Sequence, residues 1–256
     1  DYLVISHMEP DHAGSIAALC ARQPQLKLVA NARTFAILDQ FSGDNPLAQE
    51  RVTVADGGTL ALGSHTLHFV LAPMVHWPEV MAVYEDREKV LFSADGFGNF
   101  GSLTDTDAWA DEARRYYGNI VGKYGAQVQA LLKKAAALEI SLVCPLHGFV
   151  WRRDFGRFLE KYLLWSSYTP EEKSVLLAYA SVYGHTENAA NILAAKLVER
   201  GVRVRMYDTS VTPASYILSN AFRCSHLVFA ATTYNAGIFV TMENLLHDIA
   251  NHNLQN

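Results

Sequence analysis

The sequence predicts an α/β protein of two regions, the second built as a doubly wound parallel sheet. Three observations predict it. Through residue 168, short apolar runs end repeatedly in a His or a carboxylate. From Ser174 onward, apolar runs alternate with helical stretches. Between the two lies Ser166-Ser167-Tyr168-Thr169-Pro170-Glu171-Glu172-Lys173, a polar, Pro-containing link that marks a boundary. Domains are therefore expected at 1–168 and 173–256.

The chain has 256 residues, half of them hydrophobic, and a net charge of −5 with no basic run. That composition suits a globular chain with a sizeable core and argues against nucleic acid or an anionic membrane as partner. No signal peptide or membrane-spanning apolar stretch is recognisable. Cys20, Cys144 and Cys224 stand far apart and form no CxxC pair, which fits a reducing cytoplasm and excludes a rubredoxin-like or iron-sulfur site within these residues. Ten histidines push any metal site toward N and O ligands. The chain enters a strand directly after Asp1 and stops at Asn256 just past a helical pattern, so it reads as a fragment cut at both ends.

In the first region Tyr2-Leu3-Val4-Ile5 reads as a buried strand, His7-Met8-Glu9-Pro10-Asp11-His12 as a loop, and Ala13 to Leu19 as a helix. Leu26 to Ala30 is a strand and Thr34 to Phe41 a short helix. Val52-Thr53-Val54 and Thr59 to Leu62 flank Asp56-Gly57-Gly58, a hairpin signal. Thr66 to Leu71 alternates as a half-buried strand and runs into a loop carrying His76-Trp77-Pro78. Met81 to Glu85 and Lys89 to Ser93 pair around Asp86-Arg87, the second ending in Ala94-Asp95-Gly96. Helices are expected over about Asp107 to Lys123 and Ala126 to Leu138. The strand Ile140 to Cys144 then ends in Pro145-Leu146-His147-Gly148, and Arg152 to Trp165 is helical.

A metal-binding side chain thus follows a strand four times: at His7 to His12, at His76, at Asp95 and at His147. Singly these signals are weak, since a His before Trp-Pro often only packs and an Asp before Gly often only turns. Together they offer four His and three carboxylates, enough for two metal sites, with Asp95 the natural bridge because it stands alone between the others.

The second region opens with the strand Ser174 to Ala180 and the polar loop Ser181-Val182-Tyr183-Gly184-His185-Thr186-Glu187. A helix over Asn188 to Arg200, the strand Val202 to Tyr207, a helix over Pro213 to Ala221 and the strand His226 to Ala231 follow. Thr232-Thr233-Tyr234-Asn235-Ala236-Gly237 then leads to a last helix from about Thr241. Hydroxyls, free amides and a helix N-terminus at Ser181 to Thr186 suit a phosphate monoester. The three-glycine dinucleotide fingerprint and the Lys of a nucleotide-triphosphatase loop are both absent.

The motifs His-x-Glu-x-Asp-His, His76-Trp77-Pro78, Ser93-Ala94-Asp95-Gly96-Phe97-Gly98 and Pro145-Leu146-His147-Gly148 resemble the metallo-β-lactamase-like domain of the flavodiiron proteins. The loop at Ser181 to Thr186 resembles the flavodoxin phosphate loop, Ser/Thr-x-Tyr/Thr-Gly-x-Thr. The resemblance covers nearly the whole chain and implies a metallo-β-lactamase-like αββα sandwich followed by a flavodoxin-like sheet, both incomplete. It implies that His7, Glu9 and His76 hold one iron, Asp11, His12 and His147 the other, and that Asp95 bridges. FMN would lie on Ser181, Val182, Tyr183, Gly184, His185 and Thr186, with its ring beside Thr232, Thr233, Tyr234, Asn235 and Gly237. No catalytic residue beyond the metal ligands is implied. Zinc hydrolases of the superfamily usually carry His where this chain has Glu9, and the harder carboxylate suits iron. Phe149 stands where family members often have Pro.

The implied activity is reduction of O2 to water, of NO to N2O, or both, in the cytoplasm. Rubredoxin, its reductase or a reduced deazaflavin would supply electrons to a head-to-tail homodimer, with Trp77 placed at its junction. Two other readings stand beside it. One is a dinuclear zinc hydrolase with a structural flavodoxin-like module, against which Glu9 and the phosphate loop argue. The other is a non-catalytic electron carrier, which would leave seven ligands idle.

Overall fold

Strand β2 (Lys27–Asn31) shows how the first half is layered. Successive strand residues point to opposite faces, and in a computed structural model of the chain Leu28 and Ala30 pack with Ile16, Cys20, Phe35 and Leu38 of two helices, while Val29 packs with Leu67, Phe69, Met81 and Val83 of a second sheet. The structure describes residues 1–102 and 109–255. The expected helix start at Asp107 therefore lies outside the described residues.

The chain forms two compact units that interleave in sequence. The first comprises Asp1–Gly98 and Ala126–Arg157, the second Asn99–Gly125 and Phe158–Asn256.

In the first unit β1 (Tyr2–Val4), β2 and β3 (Arg51–Val54) make a parallel sheet in the order β1-β2-β3. Short helices α1 (Pro10–Ala13) and α2 (Ile16–Arg22) follow β1, and α3 (Ala32–Ser42) follows β2, capped by Asn31. The second sheet has the order β4-β5-β6-β7-β8, from β4 (Thr59–Leu62), β5 (His65–Leu71), β6 (Met81–Glu85), β7 (Val90–Phe92) and β8 (Leu142–Cys144). Its pairs are antiparallel except β7 with β8.

One expectation is corrected. Asp56-Gly57-Gly58 joins no hairpin: β3 pairs with β2 and β4 with β5, in different sheets. The Asp56 carboxylate accepts from the Leu71 amide at 2.8 Å and Gly57 N–H donates to Phe69, so the Gly-rich turn carries the chain from one sheet to the other. The two-residue hairpin sits at Gly63-Ser64, where Gly63 takes φ 73° and Leu62 faces His65.

In the second unit β9 (Glu172–Ala180), β10 (Arg203–Asp208) and β11 (Cys224–Ala231) form a parallel sheet in the order β10-β9-β11. Leu177 faces α7 (His185–Val198) through Ala190 and Ala194. Leu176, Ala178 and Ala180 face α8 (Ala214–Arg223) and α9 (Val240–Asn251) through Ile217, Ala221, Met242 and Leu245. Helices thus cover both faces, and β9 lies where the strand order reverses, the position at which such sheets bind ligands beyond their strand ends.

Helix α4 (Trp109–Ile120) packs on α8, with Gly118 and Gly122 giving room to the Phe222 ring. Helix α5 runs over Gly125–Ala135 and α6 over Phe155–Ser166. A Cβ built on Gly125 would stand 2.4 Å from the Ser166 carbonyl oxygen, a backbone atom. Gly125→Ala is expected to cost about 1–3 kcal/mol by overpacking, read as a lower urea midpoint with unchanged slope.

Candidate metal centre

Each prospective ligand sits where a strand gives way to a loop or helix. Beyond β1 the chain presents His7 and Glu9. Pro10 then opens α1, its fixed φ suited to a first helical position. Asp11 and His12 fall within that short helix, so the crowded stretch is part loop and part helix. His76 lies between β5 and β6 in a segment closed by Ala72 N–H to Val80 O at 2.8 Å and Met74 N–H to Trp77 O at 2.8 Å.

Asp95 follows β7 and His147 follows β8, neighbouring parallel strands. Ala94 is left-handed (φ 51°), which costs a non-glycine residue roughly 1–2 kcal/mol. Its carbonyl accepts from Leu146 N–H at 2.8 Å, and Ser93 Oγ donates to Gly96 O at 2.7 Å, so the loops bearing Asp95 and His147 fix each other.

The structure brings all seven side chains together, in two groups. His7, Glu9, His76 and Asp95 converge in one, and Asp11, His12 and His147 in the other. In the first, His76 Nε2 lies 2.9 Å from Glu9 Oε2 and 3.0 Å from Asp95 Oδ2, and His7 Nε2 lies 3.3 Å from Asp95 Oδ2. In the second, His12 Nε2 and His147 Nε2 are 3.1 Å apart, and each lies 3.3 Å from Asp11 Oδ2. Asp95 turns its other oxygen to this group: Oδ1 is 3.2 Å from His12 Nε2 and 3.8 Å from His147 Nε2. One carboxylate therefore faces both groups, one oxygen to each.

Burial is graded across the cluster. His7 and Asp95 form the floor, with side chains 0% and 3% exposed, while Asp11 and His147 are 50% and 35% exposed and open to solvent. Burial alone would raise the Asp95 pKa, yet the adjacent imidazoles of His7, His76 and His12 hold it far below the usual carboxylate range. Burial alone would lower that of His7, but Asp95 and Glu9 outweigh it and raise it.

These residues fit cations. Ligand bonds of about 2.0–2.2 Å place neighbouring donor atoms roughly 3.0–3.5 Å apart, which most of the measured separations match. His7 Nδ1, His7 Nε2 and Asp95 Oδ1 are buried without a hydrogen-bond partner, an arrangement that costs free energy unless something else satisfies them. An all N and O donor set with three carboxylates suits a borderline or hard divalent ion.

The second cluster of expected residues lies in the other unit, at the C-terminal ends of β9 and β11. Ser181 to Gly184 joins β9 to α7, with Gly184 left-handed (φ 83°) and His185 the first helical residue. Thr186 Oγ1 and Thr232 Oγ1 are 3.0 Å apart and tie this loop to the one after β11. Thr233–Tyr234 (β12) and Gly237–Ile238 (β13) form a small hairpin turned by Asn235 and Ala236, both left-handed. Ser181 Oγ is buried without a partner, while Tyr183 and Tyr234 are 86% and 53% exposed. A buried hydroxyl without an acceptor at a helix N-terminus, with exposed tyrosines in the two loops, fits a phosphate bearing an aromatic ring system.

Sequence reasoning passed over one buried carboxylate beside the centre. Glu79 accepts from the Met8 amide, between His7 and Glu9, at 2.9 Å. Its place directly after His76-Trp77-Pro78 was the only signal available.

Comparison with known proteins agrees with this geometry. Residues 1–148 match the family model described as ODP family beta lactamase. The chain is 30% identical to an anaerobic nitric oxide reductase flavorubredoxin of Aeromonas hydrophila subsp. hydrophila, over 100% of this chain and 54% of that protein. It is similar to the structure of rubredoxin oxygen:oxidoreductase from Desulfovibrio gigas, with a TM-score of 0.92 and 29% identity over 100% of this chain and 66% of the other. The flavodiiron protein of Giardia intestinalis gives a TM-score of 0.94 and 25% identity over 99% of this chain and 64% of the other. The chain spans less than two thirds of the length of the curated relatives it matches. With the family match covering more than half of the residues, and with these structural neighbours over nearly all of them, the chain belongs to the ODP family of beta-lactamase-like proteins and carries the core of a flavodiiron protein.

Proposed function

We propose that this chain reduces O2 to water, NO to N2O, or both, using two irons held by the seven-residue cluster and FMN held at the phosphate loop. The observation that carries the reading is Asp95, whose two oxygens face two separate groups of His and carboxylate. His7, Glu9 and His76 would hold one iron, Asp11, His12 and His147 the other. Iron bound there would supply one-electron redox chemistry and open positions for a diatomic ligand.

The chain's own residues explain the rest. Three carboxylates offset much of the charge of two divalent ions and favour a hard, oxidisable metal. The open side at Asp11 and His147 admits a small ligand, and the exposed Leu146 beside it gives a rim with little affinity for water. Hydroxyls of Ser181 and Thr186 with the α7 N-terminus would hold the FMN phosphate, while Val182, Tyr183, His185, Thr232, Thr233, Tyr234, Asn235 and Gly237 border the rest of the cofactor.

The names of relatives support redox chemistry over hydrolysis, since they include nitric oxide reductase and rubredoxin oxygen:oxidoreductase. Rubredoxin or its reductase is the proposed donor, a head-to-tail homodimer the proposed assembly, and the cytoplasm the proposed location. No helix among the described residues is long and apolar enough to cross a membrane. The limits 1–168 and 173–256 remain the proposed domains.

Metal analysis with a visible spectrum of the purified protein tests the reading. Two irons, one for each group, with FMN absorption are expected, and zinc without flavin would replace it by a dinuclear hydrolase. Stopped-flow oxidation of the reduced protein by O2 against NO then separates the substrates.

A further inference from the structure

We propose that Glu79 is a positioning residue for the metal centre, fixing the His7–Glu9 segment against the His76 loop through the Met8 amide. The inference rests on the metal reading above.

Besides the contact of His76 with Glu9, two backbone amides bond across these segments. Met81 N–H donates to Ser6 O at 2.9 Å, and Met8 N–H donates to Glu79 Oε1 at 2.9 Å. The pairs 6 with 81 and 8 with 79 run antiparallel, as in a two-rung ladder. In a regular ladder the Met8 amide would donate to the backbone carbonyl of Glu79. Here that carbonyl accepts from Asn31 Nδ2 at 2.7 Å, and the Met8 amide goes to the Glu79 side chain instead.

The substitution anchors the segment twice over. Asn31 Oδ1 accepts from Arg33 N–H and Thr34 N–H at 3.0 Å, capping α3, so Glu79 is fixed to the end of β2 and the start of a helix. Met8, buried to 1% and packed in the core with Ile5 and Ile16, is thereby locked between two prospective ligands. Glu79 itself is 2% exposed, and its Oε2 has no hydrogen-bond partner. A carboxylate in that position carries a desolvation cost that an apolar side chain filling the same space would not. Groups behind the ligands commonly orient them, and their loss costs about 10–100-fold in metal affinity.

Co(II) titration of the full chain tests this, because its visible bands report coordination geometry as well as occupancy. The wild type is expected to bind two equivalents, one per group. Glu79→Met, which keeps length and removes the acceptor, is expected to weaken one equivalent by about 10–100-fold and alter its bands, leaving the other unchanged. Glu79→Ala carries the same expectation, so one non-folding variant does not decide the matter. Glu79→Gln retains an oxygen for the Met8 amide and is expected to restore wild-type affinity and bands. Wild-type binding in Glu79→Met, equal weakening of both equivalents, or a Glu79→Gln as weak as Glu79→Met would each overturn the proposal. A wild type that binds no Co(II) would overturn the metal reading itself, and this inference with it.

Discussion

Asp95→Ala is expected to empty both metal sites and reduce turnover to background while the flavin spectrum stays intact. The side chain is 3% exposed and presents Oδ2 to His7 and His76 and Oδ1 to His12 and His147. Removing it withdraws a donor from both groups at once and leaves four imidazoles facing only Glu9 and Asp11. Asp95→Asn makes the sharper comparison. An amide offers one acceptor oxygen, its nitrogen only donates, and it can serve one group but not both. Its metal content is expected to fall to half that of the wild type. The phosphate loop belongs to the other compact unit, so FMN content should not follow the metal. Metal analysis and the flavin absorption of the same preparation read both quantities, and full occupancy in Asp95→Asn would remove the bridging role.

Glu171→Ala should produce the largest stability loss. Arg114 on α4 is 1% exposed, with its Nε 3.2 Å from Glu171 and its terminal nitrogens on Asp111. Glu171, 8% exposed, also accepts from Lys161 Nζ at 2.6 Å and Trp165 Nε1 at 2.8 Å. Burial draws the Arg114 pKa down, and the charges of Glu171 and Asp111 oppose it. Truncating Glu171 leaves the buried guanidinium with the exposed Asp111 as its remaining partner and takes the acceptor from an indole N–H, and breaking a buried pair from one side costs about 3–5 kcal/mol. Glu171→Gln should cost less, because it still accepts from Trp165. Urea unfolding decides the matter: a loss below about 1 kcal/mol, the range of an exposed pair, would mean that Asp111 alone compensates Arg114.

The seven residues that the structure gathers into two groups were legible in the sequence because each follows a strand, and a strand end is readable from an apolar run that stops. The facing oxygens of Asp95 were readable only as an inference from its isolation, since their direction depends on the left-handed Ala94 and its bond to Leu146. Glu79 was legible only as a carboxylate following His76-Trp77-Pro78, and its bond to Met8 was not. Its partners Asn31 and Met8 lie 48 and 71 residues away in sequence, and no local pattern encodes that. The false hairpin at Asp56-Gly57-Gly58 has the opposite cause: the turn chemistry was right, but turn residues say nothing of which partner each flanking strand takes. The β12–β13 hairpin escaped because Asn-Ala replaces the usual Asn-Gly at its tip. The interleaving of the units escaped because an amphipathic helix such as α4 shows that it has an apolar face without showing what covers it.

That interleaving sets an order of events during synthesis. Trp109 and Tyr117 on α4 find ring partners at Phe158, Tyr162, Trp165 and Phe222, all later in the chain. Arg115 reaches Ser215, 100 residues on. At translation rates of about 5–20 residues per second, α4 leaves the ribosome roughly 5–20 s before that partner does. Until Phe158, Tyr162 and Trp165 follow, about halfway through that interval, its apolar face has none of these contacts, and a nascent chain stalled between residues 125 and 158 should bind holdase chaperones more strongly than one stalled beyond residue 223.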